Sequence, residues 1–392
     1  MRKRLLCLLL ALCLLLTSCG KTPASDNTED ADIPETEQRD HFNGSRGRGR
    51  LIGFSGIDKE ASQLVEALVD CYYQSVGNFE LQDCSDLFTT QPEADWHSAI
   101  WYTLIEIRKA SLIDLRLKSY RFALTLEDSW YDDNGVLYLT VTEDVDMHFM
   151  ATSHTKSEQF DTIHDFALVQ DADGEWKIIS HNSDDNPYYN FYYSQSMGSD
   201  ARLEDFLQDI EQRQATLEDT DDISHLQWDH DYDRKGAQKY MQTWIEKRNS
   251  SWEAYDMLGG NCQNFGSQVL LAGGIPMDEE GDAQWFWYTH DEQDFSWINV
   301  GLFMDYAKSN EGYGLVSLPE AAYYTGDVGD IIIFGDNGLN HTTVITDLIT
   351  DKDGQTIDYL ICSNTSNYRN FPASAYYYTR QWLVRILGWN ES

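Results

Sequence analysis

From Ile57 the apolar positions return at helical spacing through Ala61-Ser62-Gln63-Leu64-Val65-Glu66-Ala67-Leu68-Val69-Asp70-Cys71-Tyr72, and a second helical stretch covers about Asp95 to Ala110. The period then falls to two. Tyr120, Phe122, Leu124 and Leu126 alternate with other residues, Asp132-Asp133-Asn134-Gly135 forms a hairpin turn, and Val136 to Thr142 resumes as a strand. Asp144 to Met150, Thr162 to Gln170, the turn Asp171-Ala172-Asp173-Gly174 and the strand Glu175 to Ser180 complete this part. Residues 198–230 read as an amphipathic connector ending in Glu218-Asp219-Thr220-Asp221-Asp222, an acidic run that marks a domain boundary. A further helix starts at Tyr232-Asp233-Arg234, and another runs from Cys262 to Ala272, closed by Gly273-Gly274 and Pro276. Ile331-Ile332-Ile333-Phe334 predicts a buried strand. Gly335-Asp336-Asn337-Gly338 predicts a turn, His341 to Thr346 the next strand, and a hairpin with Asp351-Lys352-Asp353-Gly354 at its tip returns through Ile357 to Cys362.

These elements give an α+β chain. Helices followed by a curved antiparallel meander over residues 57–197 resemble the nuclear-transport-factor-like or cystatin-like folds, which implies a spacer or binding domain. His148, His154 and His164 fall within it and read as packed or solvated residues, not ligands.

The amino terminus predicts an address. Met1-Arg2-Lys3-Arg4 precedes an apolar run from Leu5 to Leu16, too short to span a bilayer and placed as in an export signal. Leu16-Thr17-Ser18-Cys19 matches the bacterial lipobox, so residues 1–18 read as a lipoprotein signal peptide. Cys19 is then the lipidated first residue of the mature chain, anchored on the extracytoplasmic face of the cell membrane. Residues 19–56 read as a disordered acidic tether. Within it, Arg46-Gly47-Arg48-Gly49-Arg50 reads as a flexible hinge or as a contact with anionic headgroups. The net charge of −38, from 66 acidic and 28 basic residues, excludes a nucleic-acid partner, which would need a basic face.

Of seven cysteines, Cys71, Cys84, Cys262 and Cys362 remain beyond Cys19. They show no zinc spacing, and the sequence calls for no metal and no cofactor. Cys71 and Cys84 either pair in an oxidising compartment, or Cys71 is a small buried hydrophobe on its helix. Cys262 stands at a helix start, where unpaired N–H groups and the positive end of the dipole bias a thiol toward the attacking thiolate.

Tyr232-Asp233-Arg234 with Ala237 and Tyr240, then Asn261-Cys262-Gln263-Asn264-Phe265-Gly266-Ser267-Gln268 and Gly273-Gly274-Ile275-Pro276, resemble the bacterial putative amidase domain family, which looks like a branch of the papain-like NlpC cell-wall peptidases. The resemblance covers residues 231–392 and extends to Trp285, Trp287, Ser296-Trp297, Gly329-Asp330-Ile331-Ile332 and a histidine opening the following strand. It implies a papain-like domain in which a helix packs on an antiparallel sheet. It also implies a nucleophile on the helix, with the base and its orienting partner on successive strands. Asn261 stands where the family commonly has Asp, and Asn364 where many relatives carry His.

Cys262, His341 and Asn364 supply the three required types: nucleophile, base and orienter. A two-residue turn at Lys352-Asp353 sets Asn364 opposite His341, and one at Asp353-Gly354 leaves it diagonal on the same face. A three-residue loop turns it away, and Ser363, Thr365 and Asn367 stand nearby as other orienters. The backbone N–H of Cys262 is the first oxyanion donor, whereas Gln263 and Gln268 follow the cysteine and do not carry over as the second. Trp285, Trp287, Tyr288 and Trp297 either line a substrate groove or form core. Asn264 and Ser267-Gln268 read as residues holding the helix to the sheet, and Gly329-Asp330 as a turn entering its strand.

The expected activity is thioester-mediated cleavage of amide bonds in the cell envelope, with peptidoglycan peptides as the substrate class. An inactive papain-like binding lipoprotein and a thioester-forming acyltransferase are the alternatives.

Overall fold

The computed structural model describes residues 49–196, 202–336 and 338–392. The export signal, Cys19 and the tether up to residue 48 lie outside the described residues. In chain order the elements are β1 (Arg50–Ile52), α1 (Lys59–Asn78), α2 (Gln91–Lys109), β2 (Leu117–Tyr131), β3 (Leu137–Phe149), β4 (Ser157–Gln170), β5 (Trp176–Ser183), α3 (Asn186–Ser196) and α4 (Arg202–Ala215). There follow β6 (His230–Asp231), α5 (Arg234–Trp244), α6 (Cys262–Ala272), β7 (Trp287–Thr289), β8 (Glu292–Gln293), α7 (Val300–Ser309) and β9 (Gly314–Ala321). The chain ends with β10 (Ile331–Gly335), β11 (Leu339–Thr350), β12 (Thr356–Ser363), β13 (Asn367–Pro372) and β14 (Arg380–Asn390).

The first half forms as its periodicity predicts. Asp58 caps α1 by accepting the N–H groups of Glu60 and Ala61, which would otherwise lack partners. Val65, Leu68, Ile100 and Trp101 of α1 and α2 share one core with Phe122, Leu124, Val141 and Leu168 of the meander. Complete burial of each such side chain contributes roughly 1.5–3 kcal/mol. Val136–Thr142 and Asp144–Met150, read as separate strands, are one strand, β3, which pairs with β2 and β4 along its length. Cys71 and Cys84 are joined by a disulfide.

Order begins before residue 57. Arg50 to Ile52 pair in parallel with Ala123 to Thr125, and Phe54 is buried in the core, so Gly49-Arg50 is the start of a sheet edge instead of a hinge.

The two halves share their sheet. Strand β4 divides its length between partners, with Glu158 to Phe160 toward β13 and His164 to Gln170 toward β5. Asn367, Tyr368 and Arg369 of β13 lie level with Phe160, Gln159 and Glu158, so one sheet runs β1-β2-β3-β4-β13-β12-β11-β10-β14-β6, with β5 and β9 attached to β4 and β14. The ion pair from Arg369 to Glu158 (2.8 Å) spans that join. Helix α6 packs on β11 and β12, and its apolar residues Phe265, Val269 and Leu270 share a second core with Ile331, Ile333 and Val344.

Candidate active site

Helix α6 carries Cys262 as its first residue, and the whole first turn is buried. The residues after the cysteine are consumed in holding the helix. Gln263 accepts from Thr342 Oγ1 (2.7 Å) and donates to Ser267 (3.1 Å), Asn264 accepts from Trp297 Nε1 (3.0 Å), and Gln268 accepts from Tyr240 (2.6 Å). Ser267 donates to the Trp297 carbonyl (2.8 Å) and accepts from Trp285 (3.1 Å). Trp285 and Trp297 stack 4.6 Å apart in the core, fully buried, and Trp287 is nearly so. None of these three, nor the half-exposed Tyr288, lines the cavity described below.

Asp330 is fully buried at the entry to β10. It accepts from Arg234 (2.9 Å) and from the Ile386 N–H (2.9 Å), while Arg234 also donates to the carbonyls of Val328 (2.7 Å) and Ile386 (2.8 Å). Tyr232-Asp233-Arg234 and Gly329-Asp330 therefore tie α5 to the central strands. This is more than the turn that the sequence suggested.

His341 sits on β11 opposite Phe334 of β10 and is buried at 5 % exposure. Its ring stacks on Tyr376 and Tyr378, with centroids 5.6 and 6.1 Å away, and its Nε2 lies 3.2 Å from Tyr376 Oη. The next backbone N–H, that of Thr342, lies toward the Cys262 sulfur and favours its anion. Beyond the pair Val344 and Cys362 no ladder joins β11 to β12, which frees that N–H for the sulfur. Cys262 and His341 open onto one cavity of about 740 Å³. Its walls come from both halves: Phe160, Ile163, Asp184 and Tyr189 on one side, and Asp256, Met257, Asn340 and Thr365 on the other.

Burial pushes the Cys262 thiol up, against the pull of the Thr342, Gln263 and Cys262 N–H groups that point at the sulfur; Asp256 adds to the rise. Burial likewise pushes His341 down to about 3. Burial thus disfavours charge on both groups. The thiolate expected from the helix start is outweighed by desolvation, although the same N–H groups are placed to receive the charge once a proton leaves.

Asn364 is not brought to His341. The hairpin closes through a three-residue loop, Lys352-Asp353-Gly354, with Asp351 N–H donating to Gln355 O (2.9 Å) and Gly354 at φ 85. Two irregularities in the ladder return the strands to the loop's own register, with Val344 level with Cys362. Extending that register sets Thr342, not His341, across from Asn364, so the parity fails as a three-residue loop requires. Asn364 instead accepts from Asn261 Nδ2 (3.0 Å) and donates to the Ile245 carbonyl (3.4 Å). Asn261 and Asn364 are thus bonded to each other.

Residues 231–387 match the family model described as a putative amidase domain. The match indicates hydrolysis of amides in general. The chain is also 35% identical over 118 residues to the uncharacterized protein YhbB of Bacillus subtilis (strain 168), an alignment covering 29% of this chain and 37% of that protein. The chain thus spans little more than a third of that relative's length.

A second polar cluster lies outside this match, where the sequence gave scattered histidines. Glu93 O accepts from His97 Nδ1 (2.9 Å), His97 Nε2 meets His181 Nδ1 (2.9 Å), His181 Nε2 meets His164 Nδ1 (3.0 Å), and His164 Nε2 meets Glu143 (3.0 Å). Burial lowers His97 to about 4 and takes His181 well below its ordinary value. In His164 burial also lowers, but Glu143, Asp185 and Asp184 raise it above its ordinary value. Only His164 was singled out from the sequence. The meeting of helix α2 with strands β3, β4 and β5 assembled the rest.

Proposed function

We propose that this chain is a lipid-anchored cysteine amidase or peptidase of the extracytoplasmic membrane face, cleaving amide bonds in the cell envelope, with peptidoglycan peptides as the substrate class. The observation that carries the cysteine mechanism is the single cavity lined by both Cys262 and His341, with the backbone N–H of Thr342, the residue after His341, favouring the Cys262 anion. The amidase-domain match supports the amide as substrate. The disulfide between Cys71 and Cys84 supports an oxidising, extracytoplasmic setting. The lipobox at Leu16-Thr17-Ser18-Cys19 supports the anchor.

In this reading the Cys262 proton passes to His341 as the sulfur bonds the amide carbon, and the carbonyl electron pair moves to oxygen. Collapse of the tetrahedral species breaks the C–N bond, His341 returns the proton to the leaving amine, and a thioester remains. Water, deprotonated by His341, attacks the thioester; the acid leaves and the thiol is restored. Burial favours this concerted hand-over, because neither partner is charged before substrate arrives.

Peptidoglycan digested with wild type and with Cys262→Ala and compared by mass spectrometry tests the proposal. New amine and carboxyl ends are expected with wild type alone. Identical products from both proteins would remove Cys262 from the chemistry, and transfer of the acyl group to an added amine in place of water would mark an acyltransferase.

A further inference from the structure

We infer that Tyr376 is the positioning residue for His341, and that a buried hydrogen-bond chain ending on a backbone carbonyl fixes the imidazole as the Nε2–H tautomer, leaving Nδ1 as the base. The inference rests on the cysteine reading above and adds the orienting partner that Asn364 does not supply.

The argument is one of proton counting. Ser363 Oγ lies 2.8 Å from the Ser366 carbonyl oxygen, which can only accept, so the single serine proton is committed there. Ser363 Oγ is also 3.3 Å from Tyr376 Oη, and with its own proton spent it can only accept from the phenol. The phenol proton is then used, and Tyr376 Oη, 3.2 Å from His341 Nε2, accepts from the imidazole. A neutral imidazole has one N–H, and His341 is held neutral. Its proton therefore sits on Nε2 and the lone pair on Nδ1. The opposite assignment would leave the oxygens of Ser363 and Tyr376 facing each other without a proton between them. Ser363, Tyr376 and His341 are all buried, so no bulk water competes for these groups.

The anchor of the chain is built into a strained turn. Thr365 and Ser366 both lie in the left-handed region, at φ 64 and 48, an uncommon conformation for a β-branched residue such as Thr365. That turn presents the Ser366 carbonyl to Ser363 and the Thr365 hydroxyl to the Asn261 N–H (2.7 Å), immediately before Cys262. One local conformation thus sets the imidazole's tautomer and the start of the nucleophile's helix.

The test is nitrogen NMR of the full chain labelled with 15N-histidine at neutral pH, with His341 assigned by loss of its signals in His341→Gln. The wild type is expected to show the Nε2-protonated pattern. Tyr376→Phe and Ser363→Ala are each expected to give mixed tautomers, with kcat reduced roughly 10- to 100-fold and KM little changed. An Nδ1-protonated pattern in the wild type, or an unaltered pattern in a folded Tyr376→Phe, overturns the inference. The wild-type spectrum decides even if a variant fails to fold. Because the spectrum reads no turnover, its outcome is separate from that of the Cys262→Ala digestion.

Discussion

Gly266 of α6 faces Thr342 of β11 so closely that a Cβ at Gly266 would lie 3.0 Å from Thr342 Cγ2 and 3.6 Å from Ile331 Cδ1. The glycine sits one turn after Cys262, and Thr342 is the residue whose N–H favours the Cys262 anion. The absence of a side chain at 266 therefore lets α6, which begins at Cys262, lie close on β11, which carries His341.

Gly266→Ala should separate the two. Alanine gains about 1 kcal/mol in helix propensity but must push α6 from β11 by a few tenths of an ångström. Melting should change little while kcat/KM falls roughly 10-fold or more. Thermal unfolding and steady-state kinetics on the same preparation check this, and unchanged kinetics would show that the gap is slack.

Asn364→Ala should behave as a structural loss. It leaves Asn261 Nδ2 buried without its acceptor, which costs about 1–3 kcal/mol. Because Asn364 touches Asn261 and the Ile245 carbonyl, the pH profile of kcat should keep its shape. A displaced profile would return Asn364 to the imidazole.

Acid should act on His341 with a defined sign. Its pKa is about 3 in the fold and ~6.5 in the unfolded chain, so between these values the unfolded state binds the extra proton. The contribution of neutral His341 is fully present above pH ~6.5 and is lost as pH falls toward 3, at about 1.4 kcal/mol per pH unit. Relative to His341→Gln, which cannot charge, wild type should lose about 2 kcal/mol between pH 6.5 and 5. Urea unfolding of both proteins at the two pH values measures the difference, and a constant gap would mean that His341 is already hydrated in the fold.

Reduction should loosen the first half. The Cys71–Cys84 bridge closes a loop with a sequence separation of 13, and a loop of that size contributes about 3 kcal/mol. Dithiothreitol, or Cys84→Ser, should lower the melting temperature by several degrees. An unchanged melt would show that the reduced chain keeps its α1 contacts unaided.

Local order was written in the chain itself. The α6 boundaries, the 120–126 alternation and the three Asp-rich hairpin turns follow from spacing and turn chemistry, which depend on neighbours a few residues apart. The cysteine could be singled out for the same reason: its helix start and its Asn264, Ser267 and Gln268 brackets are contiguous. What needed the tertiary structure depends on distance or burial. The continuous sheet arises because β13 meets β4 across some two hundred residues, a pairing no local period encodes. Asn364 lost its place beside His341 through one extra loop residue, since a single step in register turns a strand residue to the other face. Tyr376 came to the imidazole, and Ser363 to Tyr376, because the end of β12 and the turn after β13 meet there. The Cys262 thiol is pushed up for a similar reason: a helix start stabilises the anion, but only the packed protein shows how much water has been removed from around it.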